Sequence, residues 1–271
     1  MNAFDLDAYF KRIRYAGPRS PTLDTLRAIH ALHPAAIPFE NLNPLLRLPV
    51  LLDTPSLQSK LIEEKRGGYC FEQNLLFKQA LESLRFPVTG LAARVIWNRS
   101  EDAITSRSHM LLLVEVEGEQ YIADVGFGGQ TLTAPLRLEL DVEQETPHEP
   151  FRLIEHDGDF LLQAKIRDQW KSLYRFDLQR QYPVDYEVSS WYLSNHPESP
   201  FVTGLRVARA MPGKRFNLFG KELTTHTRGA ESTSHTLRSV DELRDTLETI
   251  FGIQLPEHPD LARKLDDLMN V

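Results

Sequence analysis

The sequence predicts an α+β fold with a helical start, a β-rich middle and a mixed end. Three observations carry this. Apolar residues recur at helical spacing to about residue 85, strand-like periods take over from residue 88, and helical spacing returns after Ser239. The expected divisions are 1–87, 88–200 and 201–271.

In the first part Tyr9, Phe10 and Ile13 precede Gly17-Pro18, and Leu23, Leu26, Ile29 and Leu32 precede Pro34. His30 and His33 lie three residues apart with no third ligand in view, so they read as helix surface rather than a metal pair. Leu57 and Leu61 follow Thr54-Pro55, where Thr54 reads as an N-cap with proline at the first helical position. A further helix follows Arg66-Gly67-Gly68-Tyr69 and carries Cys70, Asn74, Phe77, Leu81 and Leu84 on one face. The cysteine therefore points into the body of the protein.

Strands are expected over Val88 to Ile96, His109 to Glu117, Gln120 to Val125, Phe151 to Glu155, Phe160 to Ala164 and Trp170 to Phe176. They are short and mostly antiparallel, which fits a barrel or a sandwich. Glu155-His156-Asp157-Gly158-Asp159 is a hairpin signal, and the proline-containing, acidic stretch Thr131 to Pro150 reads as a loop. Beyond residue 200 the pattern weakens to strands near Leu205 to Ala210 and Arg215 to Phe219. Ser239-Val240-Asp241-Glu242 then reads as a capping box, with Leu243, Leu247, Ile250 and Phe251 at helical spacing, Gly252 as the stop, and a last helix at Leu261, Leu265 and Leu268.

Composition narrows the function classes. With 31 Lys+Arg against 38 Asp+Glu the formal charge is −7, so no basic footprint offers itself to nucleic acid or an anionic membrane. No apolar run approaches the roughly 20 residues that span a bilayer, and the start Met-Asn-Ala-Phe-Asp-Leu-Asp lacks a signal-peptide pattern. One cysteine in 271 residues makes no intramolecular disulfide and no multi-thiolate metal site, so no metal is expected and a reducing cytoplasm is the simplest compartment.

That cysteine sits where two glycines end an extended segment and a helix begins. Unpaired N–H groups and the positive end of the macrodipole favour a thiolate there. A cysteine nucleophile needs a base, and the base needs a third group that fixes its tautomer. His109 opens one strand and Asp124 ends the next. Facing positions in an antiparallel pair have a constant index sum, so a two-residue loop at Glu117-Gly118 pairing Val116 with Glu119 puts His109 diagonal to Asp124 on one face. Singly, a buried cysteine is more often plain core, and an aspartate before glycines more often a turn-former. It is the joint arrangement that points to chemistry.

The motifs Ile37-Pro-Phe-Glu-Asn-Leu42, Arg66-Gly-Gly-Tyr-Cys70-Phe-Glu-Gln-Asn74 and His109…Asp124-Val-Gly-Phe-Gly-Gly129 resemble the arylamine N-acetyltransferase family, nearest to its enterobacterial N-hydroxyarylamine O-acetyltransferases. The resemblance is strong from about residue 5 to 150 and weaker beyond 195. It implies a helical N-terminal domain, a central antiparallel β-barrel and a C-terminal α/β lid, with a catalytic core like that of the cysteine peptidases and transglutaminases. It also implies a Cys70-His109-Asp124 triad, and an acceptor site at Phe39, Val95 and Phe127. Thr105, Ser106, Gly126, Gly128 and Gly129 match segments that line the coenzyme A cleft, and Arg66 with Glu40 match a charged pair steadying the cysteine loop. Gly126-Phe-Gly-Gly129 is no dinucleotide fingerprint, since the spacing fails and no helix follows.

The implied reaction is acetyl transfer from acetyl-CoA, through a cysteine thioester, to aromatic amines, hydrazines or N-hydroxyarylamines in xenobiotic metabolism. A cysteine amidase or hydrolase using the same triad is the alternative, and a non-catalytic binding module for aromatic ligands stands behind it. The sequence leaves a homodimer open.

Overall fold

The computed structural model describes residues 4–270; Met1–Ala3, read above for a leader pattern, and Val271 lie outside them. Asp5 opens the first helix, α1 (Leu6–Ile13), because its carboxylate accepts from the Ala8 N–H at 2.9 Å. Thr22 caps α2 (Leu23–Ala36) in the same way. A two-residue strand β1 (Phe39–Glu40), a single turn α3 (Leu42–Leu45) and α4 (Thr54–Gln58) follow, and a π-helical turn at Ser59–Glu63 extends α4. The longest helices are α2 and α5 (Cys70–Ser83).

Two local expectations are corrected. Asp53, not Thr54, caps α4: its carboxylate accepts from both the N–H and the hydroxyl of Ser56, leaving Thr54 and Pro55 as the first helical residues. His30 and His33 are not on a surface, since both are fully buried between α2 and α5. Tyr9 and Gln73 bond both ring nitrogens of His33 and the Asp124 N–H bonds Nε2 of His30, which offsets part of the desolvation that residue type and spacing alone do not reveal.

The middle of the chain forms β2 (Val88–Val95), β3 (Arg107–Val116), β4 (Glu119–Ala123), β5 (Leu136–Arg137), β6 (Phe151–His156), β7 (Asp159–Ile166) and β8 (Gln169–Phe176). They make one antiparallel sheet in the order β5-β4-β3-β2-β8-β7-β6. The segment after β5 bridges back to β6 at Leu140–Leu153 and Gln144–Phe151, so the sheet is a nearly closed barrel. The stretch Thr131 to Pro150 is therefore not wholly loop; it supplies β5 and this closing seam.

Strand β3 explains how the barrel meets the helices. Leu111 and Leu113 fill the barrel with Leu91, Ile122, Phe151 and Leu162, whereas Met110, Leu112 and Val114 pack on the other side against Phe77, Leu81 and Leu26. A strand buried on both faces reads as a continuous apolar run, which is what Met110 to Val114 does.

After β8 the chain makes α6 (Pro183–Asn195) and α7 (Pro200–Thr203), neither legible as a strong apolar period. Pro183 at the first helical position and Asp185, whose carboxylate accepts from the Tyr182 N–H at 2.8 Å, are the signals that mark α6. Strands β9 (Arg206–Met211), β10 (Lys214–Phe219), β11 (Glu222–Thr227) and β12 (Thr233–Thr236) then build a second sheet. Its first strand is β1, with Phe39 opposite Ala208 and Glu40 opposite Val207. Leu42, Leu45 and Leu46 share one core with Leu218, Leu243 and Phe251, so the C-terminal part completes itself with residues from the N-terminal part. Helices α8 (Val240–Asp245) and α9 (Leu261–Met269) cover this sheet, with a π-helical turn at Thr246–Ile250 between them.

The capping box at Ser239 is half formed. Ser239 accepts from the Glu242 N–H at 3.1 Å, while the Glu242 carboxylate turns to the Arg238 N–H and to His235. Among the described residues no helix is long and apolar enough to cross a membrane.

Candidate active site

Cys70 is the first residue of α5, as the glycine-to-helix transition predicts. Its position is fixed from behind by the buried carboxylate of Glu72, which accepts from the Tyr69 N–H at 3.1 Å and from Lys60 at 2.6 Å. The Gln73 amide donates to the carbonyls of Pro38 (2.7 Å) and Gly68 (3.2 Å), while its oxygen meets His33 Nε2 at 2.7 Å. Arg66 reaches Glu40 through Nε (3.0 Å) and Nη2 (2.7 Å), and Nη2 also reaches Asn43. Both charges are buried. Burial alone would raise the Glu40 carboxyl, but Arg66, Lys60 and the Leu42 N–H hold it below its ordinary value. The Arg66–Glu40 pairing expected from the resemblance is thus present, and it ties the segment before the cysteine to β1.

The β3–β4 hairpin has the two-residue loop that parity requires. Glu117 and Gly118 both adopt positive φ, and Val116 faces Glu119. His109 and Asp124 consequently fall on one face, and His109 Nε2 donates to Asp124 Oδ2 at 2.7 Å. That bond leaves Nδ1 of the ring free for the cysteine, which lies near enough to help hold the imidazole protonated. The Cys70 thiol also lies 3.7 Å from the Ser108 carbonyl.

Asp124 is fully buried and takes four donors. Oδ2 accepts from His109 and from the Tyr174 hydroxyl (2.9 Å), and Oδ1 from Asn74 Nδ2 (2.9 Å) and the Gly126 N–H (2.9 Å). Burial opposes ionisation, yet the His109 charge and these donors hold its carboxyl below the ordinary value. For His109 burial likewise opposes protonation, but Asp124 and then Cys70 outweigh it and push the imidazole up to about 10. Behind Asp124, its backbone N–H donates to His30 Nε2 at 3.2 Å. Burial drives His30 down to about 4, so this second imidazole is neutral.

Gly126 is where the third motif closes on the second. A Cβ there would come within 2.8 Å of both the Cys70 Cα and Asn74 Nδ2, so only glycine lets the loop after Asp124 lie against the start of α5.

Cys70 and His109 open onto one cleft of about 1990 Å³, and Asp124 lies buried behind them. Phe39, Val95 and Phe127 line the cleft, as do Thr105, Ser106, Gly126, Gly128 and Gly129. Phe127 stands edge-on to the His109 ring at 5.1 Å, and Thr105 donates its hydroxyl to the Val95 carbonyl at 3.0 Å. Arg66 and Glu40 do not line the cleft.

From the sequence, no role fell to Tyr174 or to Trp97 and Phe201, which line the cleft, and His30 read as helix surface. Tyr174 lies within a run of buried barrel aromatics and carries no distinguishing signal. Asn74 was also given no role, although it carries a usable signal: a polar residue four positions after Cys70 on a buried stripe needs a reason.

The N-acetyltransferase family model matches residues 22–259, which sets the class. An arylamine N-acetyltransferase of Mycolicibacterium smegmatis is 46% identical over 93% of this chain and 93% of its own length. The arylamine N-acetyltransferase / N-hydroxyarylamine O-acetyltransferase of Salmonella typhimurium is 41% identical over 92% of this chain and 88% of its own. A solved structure of Mycobacterium marinum arylamine N-acetyltransferase in complex with CoA superposes with a TM-score of 0.93 at 41% identity, covering 97% of this chain and 99% of that one. The chain belongs to the arylamine N-acetyltransferase family.

Proposed function

We propose that this protein transfers an acetyl group from acetyl-CoA to aromatic amines, arylhydrazines and N-hydroxyarylamines through a thioester on Cys70. The observation that carries the reading is the chain of contacts Cys70–His109–Asp124 at the edge of a cleft that has aromatic walls near the sulfur.

In the first half-reaction the Cys70 thiolate, paired with imidazolium His109, attacks the thioester carbonyl of acetyl-CoA. Collapse of the tetrahedral adduct breaks the bond to the coenzyme A sulfur, which leaves with the His109 proton. One thioester replaces another, so the acetyl group stays activated. In the second half-reaction the amine nitrogen, or the hydroxylamine oxygen, attacks the acetyl-cysteine while neutral His109 takes its proton. The thiolate departs and the resting pair is restored. Asp124 keeps the ring oriented, and backbone N–H groups including that of Cys70 hold the oxyanion.

Phe39, Val95 and Phe127 seat the acceptor ring and exclude water, which favours transfer over hydrolysis. Thr105, Ser106, Gly126, Gly128 and Gly129 border the donor. The roles of Arg66 and Glu40 in steadying the cysteine loop, a cytoplasmic location and a homodimer belong to the same proposal.

Intact mass after incubation with acetyl-CoA tests it. One added acetyl group is expected, absent in Cys70→Ala, and its loss should be accelerated by an aromatic amine. Loss to water at one rate, with or without amine, would make the protein a hydrolase instead.

A further inference from the structure

Three polar side chains stand one behind another beneath the nucleophile, and the reaction above uses none of them. Tyr9 on α1, His33 on α2 and Gln73 on α5 are fully buried. The Tyr9 hydroxyl meets His33 Nδ1 at 2.9 Å, and His33 Nε2 meets Gln73 Oε1 at 2.7 Å. Gln73 Nε2 faces three carbonyls, those of Pro38 at 2.7 Å, Gly68 at 3.2 Å and Ile37 at 3.4 Å.

These partners admit one proton order. Carbonyl oxygens only accept, so Gln73 turns its N–H groups to them and its oxygen to His33. The imidazole therefore carries its proton on Nε2, and its Nδ1 accepts from Tyr9. Burial drives His33 down to about 3 and Tyr9 well up, so both stay neutral near pH 7. Each group orients the next, and the chain ends on an amide with one rotamer.

The segments leading into β1 and α5 meet at a single backbone bridge, Phe39 beside Gly68. In it the Glu40 N–H donates to the Gly68 carbonyl at 3.1 Å, and the Gly68 N–H reaches the Pro38 carbonyl only at 3.4 Å. The backbones are so close that a Cβ at Gly67 would collide with the Pro38 oxygen. Those same two carbonyls accept from Gln73, which reinforces the bridge from the side. Phe39 directly follows Pro38, Cys70 comes two residues after Gly68, and both line the cleft.

We infer that Gln73, held by His33 and Tyr9, is a positioning residue that sets the spacing between Phe39 and Cys70, and with it the fit of the acceptor ring against the acetyl-cysteine. A misplacement of about 1 Å is enough to lose much of a reaction rate, and a two-carbonyl clamp prevents a shift of that size. This assignment rests on Phe39 seating the acceptor ring.

Two acceptors test it, 4-methoxyaniline and hydrazine, which has no ring to seat. Gln73→Leu keeps the volume and removes the amide, and the ratio of kcat/KM for 4-methoxyaniline to that for hydrazine should fall about tenfold. A purely structural role would lower stability in urea and leave that ratio unchanged. His33→Leu should lower the ratio about threefold, and His33→Gln, which can still donate to Gln73, should restore it. Tyr9→Phe deletes only the hydroxyl and should lower it about twofold, so these variants decide the matter if Gln73→Leu does not fold. An unchanged ratio in the variants that fold would overturn the assignment. An unchanged ratio in Phe39→Ala would instead overturn the seating of the ring on Phe39.

Discussion

Two buried imidazoles touch Asp124 from opposite sides, and the protein uses them in opposite ways. His109 approaches the carboxylate and donates to it, which favours its charged form. His30 approaches the backbone and accepts the Asp124 N–H, which only a neutral ring can do. Both are fully or almost fully buried, so burial cannot distinguish them. What differs is the neighbour: a carboxylate outweighs desolvation, whereas a peptide N–H does not. The same residue type is thus a charged donor to Asp124 on one side and a neutral acceptor on the other.

The strongest way to break the contrast is Asp124→Asn. The amide has no charge to hold His109 protonated, and the rate of Cys70 acetylation in a single turnover should fall by about 10³–10⁴. A fall below tenfold would show that Asp124 does not govern His109.

His30→Leu leaves the Asp124 N–H buried without an acceptor. Stability should drop by about 1–3 kcal/mol in urea titration, and acetylation by about tenfold as Asp124 shifts. His30→Gln retains an acceptor and should recover much of both. Wild-type behaviour in His30→Leu would mean that the back of Asp124 carries no weight.

Tyr174→Phe removes one of four donors from the carboxylate while keeping the ring against His109. About fivefold slower acetylation is expected, corresponding to about 1 kcal/mol.

The pH dependence of stability separates the two imidazoles most finely. His30 and His33 have lowered values, about 4 and about 3, so below about 6.5 the unfolded chain takes up protons that the folded one refuses. Their contribution is whole above 6.5 and fades as pH falls toward 4. His109 is raised, so its contribution is whole below about 6.5 and is lost as pH rises through about 10. Urea midpoints at pH 4.5, 6.5 and 9 should peak at the middle value. His30→Gln with His33→Gln should flatten only the acid limb, and Asp124→Asn should chiefly flatten the alkaline one.

Much of this was legible because it is local. The glycine-to-helix start at Cys70, the helical stripe through Asn74 and the two-residue turn at Glu117-Gly118 are set by neighbours in sequence. The turn fixed the index sum of its strands, and that sum placed His109 and Asp124 on one face before any contact was known. Helix α6 and strands β11 and β12 were not legible. The outward side of α6 keeps Val184, Val188 and Trp191 exposed, which blurs its apolar period, and β12 is polar along its whole length.

The sequence by itself determined that Cys70 opens a helix and that His109 and Asp124 share one face, since turn geometry and strand periodicity operate over a few residues. Only the tertiary structure decided what surrounds them. The Tyr174 hydroxyl comes from fifty residues beyond Asp124, the His30 ring from ninety-four residues before it, and the Arg215 that Glu149 holds at the cleft wall from a sheet whose first strand is Phe39–Glu40. Contacts over such separations depend on how the barrel, the helices and the C-terminal sheet pack, and no local period encodes that.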